Sequence, residues 1–308
     1  MTFKLNKNDR QLLAAIAEHR VLTVSQVTAI QRKSRQVVRR RLNKLEQAGF
    51  IVSATRGFGQ SRGRPEKTVS LTKEGASLLS SKYPALRDVP LNKMNAEKIR
   101  CMEHQLLTNW FCIHLGQIEH AIPEFSIQFL SPTSPFLKRD NSDIPLIFEP
   151  LPAEGQSKNV SGFTPDGVFT ITHRKRQMTL LFFLEVDMGT ESVASLKRDP
   201  RDVRQKVINY QEYFRSDRYK RYEKYWDCNL KGFRLLFLTN TDARVAVLSR
   251  LVQEMPPSKF IWLTSLKQMF SHGLSAEIWV RGGKQDASSE SILGTAMACR
   301  APLSAPKP

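Results

Sequence analysis

Three acidic residues in the second half of the chain have the types and spacing of ligands for a divalent cation. Asp166 follows Pro165 near the start of one apolar segment, and Glu185 and Asp187 stand at the end of the next. Residues two apart on a strand point to the same face of a sheet, so these carboxylates are predicted to converge. Carboxylates that lie together repel one another unless a cation neutralises them, and oxygen ligands suit Mg²⁺ or Mn²⁺. Asp166 and Glu185 are the predicted metal ligands.

Such an ion could activate water and stabilise the charge that develops on a scissile phosphate. Lys206, on the next predicted helix, could reach the same edge and orient the attacking water or the phosphate. Each residue also has a structural interpretation. Asp166 before Gly167 could form a turn, acids at a strand end often mark the exit to solvent, and a helix lysine is often solvated.

The elements that must position these residues follow a simple order. The apolar runs FSIQFL, TPDGVFTI, MTLLFFLEVDMGTE and GFRLLFLTNT predict strands, and helices are predicted at about 96–118 and 200–213 and over ARVAVLSRLVQEM. The resulting order of helix, three strands, helix and strand predicts a compact α/β domain with one mixed sheet.

The pairs Pro165-Asp166 and Glu185-Val186-Asp187, in this order of elements, resemble the PD-(D/E)xK nuclease superfamily. The resemblance implies a metal-dependent nuclease core. It also implies an accessory acid, for which Glu103 is the candidate and His104 beside it the rival. The superfamily's lysine falls two residues after the second acid, where this chain has Asp187. The lysine is therefore absent or has migrated to Lys206.

A second feature is the helix predicted by RQVVRRRLNKLEQAG, residues 35–49. Val38, Leu42 and Leu45 recur at helical spacing and form an apolar face. The predicted DNA-contacting residues on the remaining surface are Arg35, Arg39, Arg40, Arg41 and Lys44. Only Glu46 opposes these cations, which is unusual for a solvated helix face and typical of a DNA recognition helix. Arg40 or Arg41 could reach a guanine edge.

The flanking segments complete a winged helix. A helix with Asn8 or Asp9 as N-cap and a helix at Ser25–Gln31 capped by Thr23 are predicted before the basic helix. Gly49 ends the basic helix, and FIVSAT and KTVSLT are predicted as paired strands. The loop between them carries Arg56, Arg62 and Arg64, which could lie along a minor groove or the flanking phosphates.

The residues LNKLEQAGFI, GRPEK and VSLTKEGASLL make residues 5 to 82 similar to winged-helix domains of the MarR and PadR type. A protein-binding winged helix remains the alternative to a DNA-binding one.

The charge distribution agrees with a DNA-binding first domain. Residues 1–88 hold 18 Lys and Arg against 6 Asp and Glu, and the remaining 220 residues hold 29 against 23. A polyanion is the natural partner of such a domain, and double-stranded DNA is expected. An anionic membrane is the competing polyanion, but no lipidation motif, signal peptide or long apolar run is present, and no membrane partner is expected. The four widely spaced cysteines predict neither a zinc site nor disulfides.

The predicted organisation is a winged helix at 1–82, a linker at 83–95, a nuclease-like α/β domain at 96–281 and a flexible tail at 282–308. The HQLLTNW segment, TPDGVF, FFLEVDMGTES and RQKVINYQEYF, following a winged helix, resemble the replication-relaxation family of plasmids and other mobile elements. That resemblance implies a role in plasmid replication and DNA relaxation and leaves catalysis open.

Three functions fit these sequence patterns. The first is a DNA-binding protein of a mobile element, cytoplasmic and associated with the nucleoid or a plasmid. Its expected partners beyond DNA are other proteins of the element, or a second copy of the chain. The second is a winged-helix transcriptional regulator with a non-catalytic C-terminal domain. The third is a metal-dependent, site-directed DNA endonuclease or nickase.

The tyrosines at 210, 213, 219, 222 and 225 could stack on unpaired bases, although the first two also fit a core.

Overall fold

The computed structural model describes residues 5–55, 66–139, 144–150, 162–193 and 202–294 of the chain. The chain divides into two compact units. The first comprises Met1–Ile113 and Thr133–Ser142, and the second comprises His114–Pro132 and Asp143–Pro306. Among the described residues, no helix combines the length and the apolar character needed to traverse a lipid bilayer.

Helices and strands are mixed along the chain. The helices are α1 (Lys7–His19), α2 (Val24–Gln31), α3 (Arg35–Gln47), α4 (Lys73–Lys82), α5 (Met102–Ala121), α6 (Val203–Arg215), α7 (Arg221–Trp226), α8 (Asp242–Gln253) and α9 (Leu266–His272). The strands are β1 (Leu22–Thr23), β2 (Ile51–Thr55), β3 (Lys67–Leu71), β4 (Phe125–Leu130), β5 (Glu149–Pro150), β6 (Gly162–Phe163), β7 (Gly167–His173), β8 (Met178–Asp187), β9 (Phe233–Thr239), β10 (Ile261–Ser265) and β11 (Val280–Arg281). The α/β fold class predicted from the sequence is confirmed.

Helix α1 begins earlier than the sequence predicted. The N-cap is Asn6, whose side chain accepts a hydrogen bond from the backbone N–H of Asp9 at 2.9 Å. The Asp9 carboxylate accepts in return from the backbone N–H of Asn6 at 2.7 Å. Asn8 and Asp9, the predicted caps, therefore lie inside the helix, because this reciprocal pair satisfies two of the N–H groups that a helix start leaves without partners.

Helix α2 starts at Val24, one residue before the predicted start, and the predicted ends of α2 and α3 are confirmed. Thr23 caps α2 by accepting from the Gln26 N–H, and the Ser34 side chain caps α3. Gly49, which follows the end of α3, has a φ of +79°, a left-handed conformation that favours glycine. Val38, Leu42 and Leu45 are buried, so the apolar face of α3 packs inward.

A small antiparallel sheet in the order β1-β3-β2 completes this part of the first unit. Strand β3 lies in the centre, where Val69 pairs with Ser53 on one side and with Leu22 on the other. The predicted pairing of the two strands after α3 is confirmed. Arg56, Arg62 and Arg64, on the loop between them, lie outside the described residues.

The segment predicted to be a linker, residues 83–95, holds two 3-10 helices, Pro84–Leu86 and Leu91–Lys93. Leu86 and Met94 are buried, so this segment contributes to packing within the first unit. Helix α5 starts at Met102 rather than near residue 96, because residues 96–99 form a turn in which Ile99 N–H donates to Ala96 O.

The second unit contains a mixed sheet in the order β11-β10-β9-β8-β7-β4. Strands β8, β9 and β10 are parallel to one another. Strand β7 pairs antiparallel with both β8 and β4, and β11 pairs antiparallel with β10. Strand β8 is buried from residue 181 to its end, as its nearly continuous apolar sequence predicts for a strand covered on both faces. The mixed sheet and its four longest predicted strands are confirmed.

The predicted flexible tail is packed in its first part. Trp279 and Glu290 form a β-bridge, and Ile292 and Leu293 are buried. Residues 295–308 lie outside the described residues.

A buried ion pair joins α1 to α3. The guanidinium of Arg41 donates from Nε and Nη2 to the two carboxylate oxygens of Asp9. The Asp9 side chain is 2% exposed and that of Arg41 is 27% exposed. Arg41 was predicted to lie with the DNA-contacting residues. Its guanidinium instead pairs with Asp9, because a buried carboxylate requires a partner.

We expect Asp9→Ala to lower the unfolding free energy by roughly 3 kcal/mol, because it removes half of a largely buried ion pair and half of a helix cap. Urea unfolding of the full chain would measure the change. The matched control is Asp88→Ala, which removes an exposed carboxylate from the same unit and should change stability little. Equal effects of the two substitutions would contradict a structural role for the pair.

Candidate functional site

The sheet register brings Asp166 and Glu185 together. Gly167 pairs with Leu184, and continuing this antiparallel register places Asp166 across from Glu185. The backbone N–H of Asp166 donates to Leu184 O at 3.0 Å, and its carboxylate accepts from Val186 N–H at 2.8 Å. Gly167 has no room for a side chain, because a Cβ there would lie 2.4 Å from the ring of Phe129. Both acids therefore stand at one end of the sheet.

Two side chains of α6 contact the buried Glu185. Tyr210 donates its hydroxyl proton to Oε1 at 2.7 Å, and Lys206 Nζ lies 3.1 Å from Oε2. Positions 206 and 210 are neighbours on one helix face, so a single face of α6 supplies both contacts. Each carboxylate oxygen of Glu185 thus has a partner from the same helix.

The charges of this group depend on one another. Burial raises the pKa of Glu185, Lys206 lowers it and Asp166 raises it, so that the pKa lies above its usual value. Burial lowers the pKa of Lys206, but the carboxylates of Glu185, Asp166 and Glu191 outweigh burial and raise it. Lys206 also lies 2.8 Å from an oxygen of Glu191. The ammonium is therefore held protonated among three carboxylates.

Asp187, predicted to join Asp166 and Glu185, has a different partner. Its carboxylate lies 2.8 Å from Nε of Arg244 on α8, and it accepts from the backbone N–H of Gly189 at 2.6 Å. Arg244 also donates to the carbonyl of Glu191 at 2.7 Å. In the described part of the chain, no three His, Cys, Asp or Glu side chains are grouped so that they could hold a metal ion. A metal site built from all three predicted carboxylates is therefore not found among the described residues, and Asp187 pairs with Arg244 instead.

The remaining pair fits the chemistry of a small divalent cation. Asp166 and Glu185 offer carboxylate oxygens at one sheet end, and Mg²⁺ is commonly held by one or two carboxylates together with water and substrate phosphates. Lys206 stands beside Glu185, on the neighbouring helix instead of two residues after the second acid. Lys206 thus contacts Glu185, and Asp166 stands across from Glu185 at the same end of the sheet.

Glu103, the predicted accessory acid, lies in the first turn of α5 and is exposed. It belongs to the first unit, whereas Glu185 belongs to the second. Its role stays a prediction, as does that of the neighbouring His104.

A buried acid that the sequence analysis missed lies on β5. Glu149 has no solvent exposure, accepts from the Tyr222 hydroxyl at 2.6 Å and lies 3.3 Å from Nη2 of Arg221. Burial raises its pKa to about 7, although Arg221, Tyr213 and Tyr222 lower it. The sequence signal that could have identified Glu149 is a lone acid in the apolar run PLIFEPLP.

Four of the five tyrosines considered for base stacking, all except Tyr225, are buried, so that interpretation is wrong for Tyr219 and Tyr222.

The outer face of α3 forms a second candidate site. Its exposed cations are Arg35, Arg39, Arg40 and Lys44. Glu46, the one acid on the helix, accepts from the backbone N–H of Ser53 at 3.0 Å. Arg35 lies 3.5 Å from Glu66, a long contact for a pair whose arginine is half exposed. A cavity of about 410 Å³ lies between this face and β2 and β3, with Arg35, Arg39, Asn43, Ser53 and Lys67 in its lining.

A family model described as replication-relaxation matches residues 13–227, from within α1 to the end of α7. No curated protein and no solved structure matches the chain. The match includes α3 with its cations and the segment that carries Asp166, Glu185 and Lys206.

We expect the titration of Glu149 to lower the free energy of unfolding as pH rises from about 4.5 to about 7. Below this window the acid is protonated in both the folded and the unfolded chain. Within it the unfolded chain releases the proton while the folded chain retains it, so folding loses free energy. Above it the loss is constant, at roughly 3 kcal/mol for a shift of this size.

Glu149→Gln cannot titrate, so its stability should fall less than that of the wild type between pH 5 and pH 8. Urea unfolding at both pH values measures the difference. Glu277→Gln, which changes an exposed acid of the same unit, is the control and should follow the wild type. Parallel pH profiles for wild type and Glu149→Gln would contradict the role given to burial.

Proposed function

Because the chain belongs to the replication-relaxation family, we propose that it acts on the DNA of a plasmid or another mobile element, in its replication and relaxation. The protein would work in the cytoplasm on plasmid or nucleoid DNA. Each unit contributes a separate step to this proposal: the first binds duplex DNA, and the second acts on the DNA or holds it.

The first unit is proposed to be a winged-helix DNA-binding module. The observation that carries this proposal is the outer face of α3, where Arg35, Arg39, Arg40 and Lys44 are exposed while the opposite face is packed. Helices α1 to α3 followed by an antiparallel β2–β3 pair support the comparison with winged helices. Phosphate oxygens suit these cations, and an arginine can also bind a guanine edge. Arg41 is assigned to the ion pair with Asp9 and not to DNA.

The second unit is proposed to be a PD-(D/E)xK-like domain with Asp166, Glu185 and Lys206 as its site. The supporting observation is that Lys206 reaches Glu185 from α6 at 3.1 Å, in place of the lysine missing at position 187. Asp166 and Glu185 would hold Mg²⁺ or Mn²⁺, which when bound would polarise a scissile phosphate. Lys206 keeps its proton and balances the negative charge of Glu185, while Tyr210 fixes the orientation of the Glu185 carboxylate.

A non-catalytic second unit is the alternative candidate. Each carboxylate oxygen of Glu185 already has a partner, and Asp187 is neutralised by Arg244, so the charges are balanced by the chain's own cations. In this case the protein would regulate transcription or assist replication through DNA binding alone.

We expect Arg39→Ala with Arg40→Ala to weaken duplex DNA binding by at least about 10-fold. The slope of log affinity against log salt concentration should become shallower by the amount that about two phosphate contacts contribute. Fluorescence anisotropy over a salt series measures both quantities. The matched control is Arg87→Ala with Arg100→Ala, which removes two exposed arginines from the same unit and should leave both quantities near those of the wild type. If the two double variants bind alike, α3 is not the recognition helix.

We expect Asp166→Asn to abolish Mn²⁺ binding and any metal-dependent nicking of supercoiled plasmid. Asparagine keeps the acceptor for Val186 N–H but removes the charge that binds the cation. Lys206→Met should slow nicking without loss of Mn²⁺ binding, because an ammonium is not a metal ligand.

Calorimetry and a plasmid assay in Mg²⁺ and Mn²⁺ provide the measurements, with Glu277→Gln as the exposed-acid control. Mn²⁺ binding without nicking favours the non-catalytic candidate. Nicking that survives Asp166→Asn rules out the proposed site.

A further inference from the structure

A cavity of about 630 Å³ lies at the end of the large sheet opposite to Glu185. Its lining includes the first residues of β8, from Met178 to Leu181, and Phe233 and Arg234 at the start of β9. Glu185 lies seven positions after Met178 along the extended strand, a distance of roughly 23 Å. The cavity is thus distinct from the candidate site described above, and its size falls in the range of pockets for small ligands.

The lining of this cavity is basic. Lys231, Arg234, Lys259 and Arg281 contribute to it, and no acidic residue of the described ranges belongs to the lining. Arg281 does have a neighbouring acid, since its Nη1 lies 3.0 Å from Glu290. Burial and the nearby charge of Arg281 lower the pKa of Arg234, whereas Glu290 raises it. Among the described residues, the lining thus holds four cations, and the acid Glu290 contacts one of them, an arrangement that favours an anionic ligand.

The cavity also has aromatic walls. The rings of Phe214 and Phe260 stack with centroids 5.0 Å apart and an angle of 20° between their planes, and both side chains are half-buried. Phe214 also stacks with Tyr219, with centroids 6.0 Å apart, so both faces of Phe214 are covered and Phe260 is the ring at the end of the stack. The guanidinium of Arg234 lies over the ring of Trp262, 4.5 Å from its centroid, and its Nη1 donates to Ile292 O at 3.0 Å. The walls are therefore held in place by contacts within the unit. Flat aromatic surfaces beside cations are the chemistry by which proteins bind unpaired bases with their phosphates.

We propose that this cavity binds a nucleotide, with the base against Phe260 and the phosphate against Lys231, Lys259 and Arg281. The nucleotide is either free or part of an unpaired DNA strand, since both present the same base and phosphate. This site is separate from the duplex-binding face of α3 and from the Asp166 and Glu185 pair. It would let the second unit hold an unpaired strand, whether or not it cleaves DNA.

The test uses the full chain and two probes, thymidine monophosphate and a 5′-phosphorylated thymidine octamer. Lys231→Ala with Lys259→Ala should weaken binding of the octamer by about 10-fold, because two exposed phosphate contacts are lost. The matched control is Lys224→Ala with Lys267→Ala, two exposed lysines of the same unit outside the cavity lining, which should leave binding near that of the wild type. Duplex binding should remain unchanged in both variants.

Competition separates the two sources of the ligand. Displacement of the octamer by the mononucleotide supports a pocket that accepts a free nucleotide, and octamer binding without such displacement supports a strand-binding pocket. The proposal is overturned if the wild type binds neither probe, or if the two double variants weaken binding equally.

Photo-crosslinking gives an independent readout, since the basic first unit could also attract an oligonucleotide. An octamer with 5-iododeoxyuridine should crosslink to peptides that contain Phe260. Crosslinks confined to peptides of α3 would overturn the assignment of the cavity.

Discussion

Glu185 is a carboxylate with almost no access to water, and much of the second unit is arranged to compensate its charge. Lys206 and Tyr210 reach it from α6, and Lys206 extends the contact to Glu191 in the turn after β8. Arg244 on α8 serves Asp187 in the same way. Because an unpaired buried charge costs several kcal/mol, these contacts fix where α6 and α8 pack against β8. The position of both helices is thus tied to two acids on one strand.

The same contacts support two opposite functional interpretations. A lysine beside an acid pair is what a metal-dependent nuclease needs, and an acid already neutralised by lysine is what a stable, inert core needs. Asp187 illustrates the second case, since its charge is neutralised by an arginine of the same unit. For Asp166 and Glu185 the outcome depends on whether a cation can bind while Lys206 remains in place, a competition between one mobile and one tethered positive charge.

Local patterns in the sequence were sufficient for α1, α2, α3, α5, α6 and α8, for β2, β3, β4, β7, β8 and β9, and for the placement of Asp166 across from Glu185. They did not predict the shorter elements, such as α4, α7 and α9, or the central parallel strand β10. The spacing of Val38, Leu42 and Leu45 fixed the inner face of α3, and the apolar run of β8 indicated a strand buried on both faces. Ion pairs between distant residues leave no such pattern. Asp9 and Arg41 are 32 positions apart and Asp187 and Arg244 are 57 apart, so neither partner could be chosen from the sequence. At the start of α1 the N-cap was misplaced because Asn6, Asn8 and Asp9 are all suitable capping residues.

The family match ends at residue 227, before β9 begins. Strand β8 pairs with β9 along residues 181–187, so a chain cut at that boundary would expose the backbone edge of a long apolar strand. Such an edge invites pairing with other chains and aggregation. Asp187 would lose Arg244 in the same cut. A fragment that ends at residue 227 would therefore need another strand to cover this edge and another cation in place of Arg244.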